Sequence, residues 1–230
     1  MASLLNIIGS SRRGGGGGDP YFSSVVLLIQ CQGPDGSTTF TDQSSYARTL
    51  TAQGDAQQDT GVVQFAPASI LVDGTDAVTA ANASALLPST GDFTLEFSFQ
   101  YSSLSGFQTL WDKGYTGAGA FLIQTGNGDG KPIVYLNGSA VLTDGSASAS
   151  TGVWYDYAIK RSGTSLTIWR DGVQTSSATN STDINNTDVL SIGRRDSTGN
   201  TGAIGNYGYV RYTVGVARTI VDPTGEWPTS

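Results

Sequence analysis

Apolar and polar side chains alternate with a period of two in several stretches of the chain. In Phe93-Thr94-Leu95-Glu96-Phe97-Ser98-Phe99 the apolar residues fall on odd positions, which predicts a strand with one face on a core. Val153-Trp154-Tyr155-Asp156-Tyr157-Ala158-Ile159 repeats the pattern with a second aromatic set. Ser165-Leu166-Thr167-Ile168-Trp169-Arg170 runs into Asp171-Gly172, and Lys131-Pro132-Ile133-Val134-Tyr135-Leu136 runs into Asn137-Gly138. Both dipeptides favour the positive φ angles of a two-residue hairpin. Val25-Val26-Leu27-Leu28-Ile29-Gln30-Cys31 is a nearly continuous apolar run in which Cys31 shares parity with Val25, Leu27 and Ile29. The thiol is therefore expected in the core, as a small hydrophobe. Val189-Leu190-Ser191-Ile192-Gly193 and Tyr207-Gly208-Tyr209-Val210-Arg211-Tyr212 supply late strands, and further Asp-Gly pairs begin at Asp35, Asp73, Asp129 and Asp144. Turn signals at this density between short β-rich runs predict an antiparallel sandwich. No segment predicts a helix of more than two turns.

Composition narrows the chemistry. The 230 residues suffice for one large all-β domain, and 38% apolar with 10% aromatic residues can build its core. No apolar run approaches the roughly 20 residues of a membrane helix, so no membrane partner is expected. Histidine is absent, which closes the Ser-His-Asp triad, the Cys-His dyad and His-based zinc sites. Cys31 is the only cysteine, so no internal disulfide forms and a reducing compartment suits the chain. The net charge is −7, with twelve basic residues against nineteen acidic ones. Nucleic acid is not an expected partner, because phosphate binding needs a basic surface.

Residues 1–20 differ from the rest. Leu4, Leu5, Ile7 and Ile8 form a short apolar segment, followed by Arg12 and Arg13, five glycines and Asp19-Pro20. An export signal carries its positive charges before a longer apolar core, whereas here the arginines come after it. The glycine run acts as a tether. Across it the four apolar side chains cannot easily reach the domain core. Burying each is worth about 1.5–3 kcal/mol before ordering costs. The segment is therefore expected to be an arm that docks on a partner, with residues 21–230 forming one sandwich.

The segment order resembles laminin-G-like, concanavalin A-like lectin jelly rolls. The carriers are Gly91-Asp92-Phe93-Thr94-Leu95-Glu96-Phe97, Gln108-Thr109-Leu110-Trp111-Asp112-Lys113-Gly114, Gly152-Val153-Trp154-Tyr155-Asp156-Tyr157-Ala158, Leu166-Thr167-Ile168-Trp169-Arg170-Asp171-Gly172-Val173 and Leu190-Ser191-Ile192-Gly193. The start (residues 25–29, then 36–42) and the end (residues 215–218, Pro223, Trp227-Pro228) are similar to versions found in bacteriophage virion proteins. The resemblance implies an all-β, antiparallel two-sheet jelly-roll sandwich serving as a phage structural or receptor-contact module. In many such relatives acidic residues close the first strand and precede the final strand's arginine, where they can bind calcium. This chain has Gln30, Cys31 and Gln32 at the first place, and Asn206 to Val210 before Arg211 at the second. Calcium wants six to eight oxygens, several of them charged. No cofactor is expected, and calcium is the ion the resemblance leaves open.

The same fold family includes glucanases. A retaining glycosidase needs two carboxylates about 5–5.5 Å apart, and strand positions i and i+2 lie about 6.6 Å apart on one face. The partners such a pair would need beside Glu96 are Thr94 and Ser98. Glu96 is expected to be a surface or cross-strand hydrogen-bonding residue, and Glu226 a solvated one, so no enzyme is expected. A sugar site would use exposed aromatic faces beside amides or carboxylates. The candidates for glycan contact are Trp111, Tyr115, Trp154 and Trp169, with the polar stretch 176–186 as a further source of contacts. Trp169 alternates with Leu166 and Ile168 and should face away from their core. Trp154 shares its face with Asp156 and Lys160.

Together these readings predict a non-enzymatic phage virion protein, assembled in the host cytoplasm and attached by its arm. Capsid decoration or cement is the first role expected, and a carbohydrate-binding tail fibre or adaptor module the alternative. The expected partners are other virion proteins, a surface glycan and further copies of the chain, a trimer suiting an exchanged arm.

Overall fold

The computed structural model describes residues 18–195 and 202–230. The arm residues Leu4, Leu5, Ile7, Ile8, Arg12 and Arg13 lie outside the described residues. The described strands are β1 (Val25–Gln30), β2 (Leu50–Gln53), β3 (Gln57–Asp59), β4 (Ser69–Asp73), β5 (Ala77–Ala80), β6 (Phe93–Tyr101), β7 (Thr109–Lys113), β8 (Phe121–Thr125), β9 (Pro132–Leu136), β10 (Ser139–Thr143), β11 (Trp154–Ser162), β12 (Ser165–Arg170), β13 (Val173–Thr179), β14 (Leu190–Ile192) and β15 (Ile204–Val214). Two three-residue 3-10 turns, Phe22–Ser24 and Ser84–Leu86, are the only helical segments among the described residues.

The strands form two antiparallel sheets. One runs β13-β12-β11-β6-β15-β4-β3, with β1 also on β15, and the other runs β10-β9-β8-β7-β14-β5-β2. β15 is long enough to pair twice along one edge, with β4 through residues 204–207 and with β1 through residues 209–213. The hairpins read from the sequence are present. Asn137-Gly138 joins β9 to β10 and Asp171-Gly172 joins β12 to β13, all four residues at positive φ.

The core between the sheets is rich in aromatic rings. Phe99 lies 4.6 Å from Tyr207 and 4.7 Å from Tyr101. Trp111, from the opposite sheet, packs at 5.1 Å on Tyr212. On β6 the odd residues Phe93 to Tyr101 face this core, as the alternation predicts.

The other face of β6 departs from expectation. Thr94, Glu96 and Ser98 are buried as well: residues 215–230 cross the outer face of the larger sheet over Thr94 and Glu96 without joining it as a strand, and Gln64 lies beside Ser98. Thr94 Oγ1 donates to Val216 O at 3.0 Å and accepts from Arg218 N at 2.8 Å. Trp227 closes a second apolar cluster with Val25, Leu28 and Tyr209. Val25 therefore does not share a face with Leu27, Ile29 and Cys31 as strict alternation predicts: a register shift between Val25 and Leu27 turns it outward. The tail ends beside the start of the described chain, where Asp19 N donates to Ser230 O at 2.9 Å.

Candidate functional site

Under the tail, four charges meet. Glu96 Oε2 accepts from Arg211 Nε at 2.8 Å and from its Nη2. Arg218 Nε lies 3.6 Å from the same oxygen, and Asp19 Oδ2 is 2.9 Å from Arg218 Nη1 and 3.3 Å from Arg211 Nη1. Burial alone would raise the Asp19 carboxyl, but Arg218 and the Tyr21 N–H hold it below its usual range. Burial lowers the Arg211 guanidinium to about 10, still charged at neutral pH. The Trp227 ring stacks 3.2 Å above that guanidinium. Glu96, only 3% exposed, is thus the cross-strand hydrogen-bonding residue of the two expected alternatives, opposite Arg211 of β15, and not a surface one. It is held in ion pairs, without the solvent access that attack on a glycosidic bond requires. Glu226 is exposed as expected and accepts from Gln32 Nε2 at 3.1 Å.

The four aromatic candidates do not converge. Trp111 is 2% exposed and sits in the main core, so it has no face to offer a sugar. A register shift between Thr109 and Trp111 lets both Leu110 and Trp111 point inward. Trp154 and Trp169 are half-buried on the larger sheet, where Trp169 lies 5.0 Å from Lys160 Nζ and donates Nε1–H to Thr167 Oγ1. Tyr115 is half-buried beside the other sheet, against Tyr135 at 5.8 Å and Arg195 at 4.2 Å. The polar stretch 176–186 begins as the end of β13 and then packs back on the sandwich. Thr182 O accepts from Arg161, and Asn186 N donates to Gly119 O.

Two further groups bear on chemistry. Asp156, Asp171 and Asp222 bring carboxylate oxygens within 4.8 Å of one another, spacing that could share a cation. Burial raises Asp156 to about 7, against the bonds it accepts from Tyr209 and Gln64. The nearby Asp171 and Asp222 charges add to that rise. Lys113 is buried with its ammonium bonded to Asn82 Oδ1, Asn186 O and Asp188 O, and burial lowers it to about 8. While charged that nitrogen has no lone pair for attack, and its three N–H groups are all taken by acceptors.

The positions where the resemblance would put calcium ligands do not fit a cation. The Gln30 amide is engaged by the Trp227 backbone, Cys31 offers only a buried thiol, and Asn206 Nδ2 donates to Asp59 and Ser69. The Arg211 and Arg218 guanidinium groups already supply the positive charge there. The Cys31 thiol, pushed up to about 12 by burial, is the inert core residue that its parity predicts.

A cleft of about 370 Å³ opens at the end of β1. Its walls are the residues that follow β1, the loop returning through Phe40 to Gln43, and Gln58 of β3. No lining residue is charged, and four are glutamines. Phe40 plants the loop in the core. Asp42 fixes its base by accepting from Leu28, Ser44 and Arg48 backbone N–H groups at 2.9–3.0 Å. Gln58 ties the rim, accepting from Gly33 N at 2.7 Å and donating to Thr39 O at 2.6 Å. Gly33 is small for a reason: a Cβ there would meet the Gln58 amide at 2.6 Å. The sequence alone did not mark this cleft. Its glutamines are scattered over 29 positions, with no local pattern that singles them out.

A family model described as the concanavalin A-like lectin/glucanases superfamily matches residues 72–211, more than half of the chain. No protein of curated function matches it in sequence. Among solved structures, domain 4 of AbnA, a GH43 extracellular arabinanase from Geobacillus stearothermophilus in complex with arabinotriose, is similar with a TM-score of 0.63 at 14% identity. The match covers 85% of this chain and 95% of that one. The binding domain of Paraclostridial Mosquitocidal Protein 1 matches with a TM-score of 0.62 at 14% identity. A structure of botulinum neurotoxin type C, whose cell entry depends on interaction with two ganglioside molecules, matches with 0.61 at 13%. Each of these two covers 84% of this chain, which spans about half of theirs, 48%. At such identities the likeness is one of fold. The family match over the strands that carry the sandwich sets the conclusion: the chain belongs to the concanavalin A-like lectin/glucanases superfamily.

Proposed function

We propose that this chain is a non-enzymatic carbohydrate-binding module carried on a bacteriophage particle by its N-terminal arm. The observation that carries the binding reading is the cleft beside β1, built wholly from uncharged amides, hydroxyls and apolar groups. Sugar hydroxyls both donate and accept, and primary amides match them without a protonation state. A domain solved with arabinotriose and a toxin described with gangliosides share the fold, which supports the same class of ligand. The absence of catalysis is supported by Glu96, which is held by Arg211 and Arg218. In this reading the module is a tail fibre or adaptor part that contacts the host surface. A glycan array tests it, paired with a reducing-sugar release assay. Binding without release is expected, and release of sugar would make the chain an enzyme.

Capsid decoration or cement is favoured by one separate feature, the apolar segment of Leu4, Leu5, Ile7 and Ile8 set off by five glycines. It suits docking on another virion protein, or exchange between copies in a trimer. Deleting residues 2–13 is expected to leave the sandwich folded and to abolish attachment to the particle. Unchanged occupancy after the deletion would remove the arm from the reading, and a cryo-EM map of the particle would separate head from tail.

A further inference from the structure

We propose that the cleft beside β1 binds an uncharged saccharide segment through Gln43, Gln32 and Thr41, and that it rejects acidic glycans. The inference rests on the carbohydrate-binding reading above and assigns it a place. That place is outside the part of the chain matched to the family: the cleft is built from residues 29–58, ahead of residues 72–211.

The lining groups divide by what they already do. Gln58 and Gln30 are spent on the protein. Gln58 bonds Gly33 and Thr39. Gln30 takes the Trp227 N–H on Oε1 and donates Nε2–H to Trp227 O at 3.0 Å. They hold the walls and are positioning residues. Gln43 is different. Its Oε1 accepts from Gln30 at 3.4 Å, while its Nε2 has no partner among the described residues. Gln32 donates to Glu226, and its Oε1 likewise has none. The Thr41 hydroxyl is exposed on the same rim. A donor, an acceptor and a hydroxyl that serves as either therefore line one cleft, held by groups whose own bonds are already made. Such preorganisation lowers the ordering cost of binding. Pro34 and the buried edge of Phe40 offer apolar contact for the C–H face of a ring. The volume of about 370 Å³ falls at the lower end of the roughly 300–1,000 Å³ of small-ligand sites and suits roughly one or two sugar rings.

Charge sets the selectivity. A carboxylate or sulfate on a glycan is held by arginine or lysine, and no lining residue is either. Glu226 stands at the rim on Gln32, and the chain carries a net charge of −7. An acidic glycan entering the cleft would lose hydration, gain no counter-charge and meet a field of its own sign.

The test is a glycan array carrying neutral, sialylated and sulfated sugars, probed with the full chain and with Gln43→Ala and Thr41→Val. Affinity for each neutral hit is then measured by titration. The parent is expected to bind neutral glycans only. Each variant is expected to lose about tenfold in affinity, the equivalent of one good hydrogen bond, with an unchanged melting temperature. Titration should also move the side-chain amide NMR signals of Gln43 and Gln32. If the parent binds neutral glycans and both variants bind equally well, the site is elsewhere and the inference falls while the carbohydrate reading stands. A parent that prefers acidic glycans overturns the inference in the same way. A parent that binds no glycan overturns both.

Discussion

Glu96→Gln keeps the shape of the side chain and removes its charge. Arg211 and Arg218 are then left with Asp19 alone, one positive charge in excess beneath the tail. At the 2.8 Å between Arg211 Nε and Glu96 Oε2, unit charges attract by about 6 kcal/mol at an effective dielectric of about 20. Desolvation offsets part of this, and removing one partner of a buried pair costs about 3–5 kcal/mol. For a domain of this size each kcal/mol moves Tm by about 2–4 °C, so a fall of about 6–20 °C is expected. The assay is calorimetric unfolding at pH 7, with hydrogen exchange on residues 215–230 to show that the tail loosens first. Glu96→Leu with Arg211→Met should cost less than the two single changes added together, because the pair leaves as a unit while Arg218 and Asp19 stay balanced. A Tm within about 2 °C of the parent for Glu96→Gln would refute the claim that this network holds the tail. Because Trp227 fixes Gln30 and Glu226 holds Gln32, glycan binding at the cleft should weaken only as far as the tail loosens, and loss of function with the tail and fold intact would instead revive a catalytic role for this carboxylate.

Other expectations follow from particular groups. Asp156 has a folded-state pKa of about 7 against the usual 3.8. The folded protein thus keeps a proton that the unfolded chain has lost, and stability falls as pH rises between those two values. Asp156→Asn should flatten that slope and stabilise the protein above pH 7 by up to about 4 kcal/mol, read as Tm against pH from 4 to 8; a flat parent profile would contradict the shift. Trp111→Ala should cost about 3–5 kcal/mol and Trp169→Ala about 1 kcal/mol or less in guanidinium unfolding, and equal costs would contradict their different burial. EDTA should leave Tm unchanged to within about 1 °C. A large fall restored by calcium would place a structural cation on the protein, with Asp156, Asp171 and Asp222 as the group to mutate first.

The sequence by itself determined the local half of this structure. Odd positions of β6 face the core because a strand alternates strictly, and Asn137-Gly138 and Asp171-Gly172 turn because those residues accept positive φ. Cys31 is buried as its place in an apolar run requires. The tertiary structure decided what depends on partners far along the chain. A shift between Tyr207 and Tyr209 sends Tyr207 into the main core and Tyr209 outward to Trp227. Similar shifts turn Val25 outward and bring Trp111 in. Alternation cannot foresee these, since one extra residue in a ladder reverses every position beyond it. Alternation on β6 leaves open whether Glu96 meets water or a cross-strand partner, because nothing within its own strand reveals that residues 215–230 lie across it. The cleft is the same case. Gln30, Gln43 and Gln58 are unremarkable apart, and they become a site only where β1, its returning loop and β3 meet, with Trp227 brought from 197 positions away to fix the Gln30 amide.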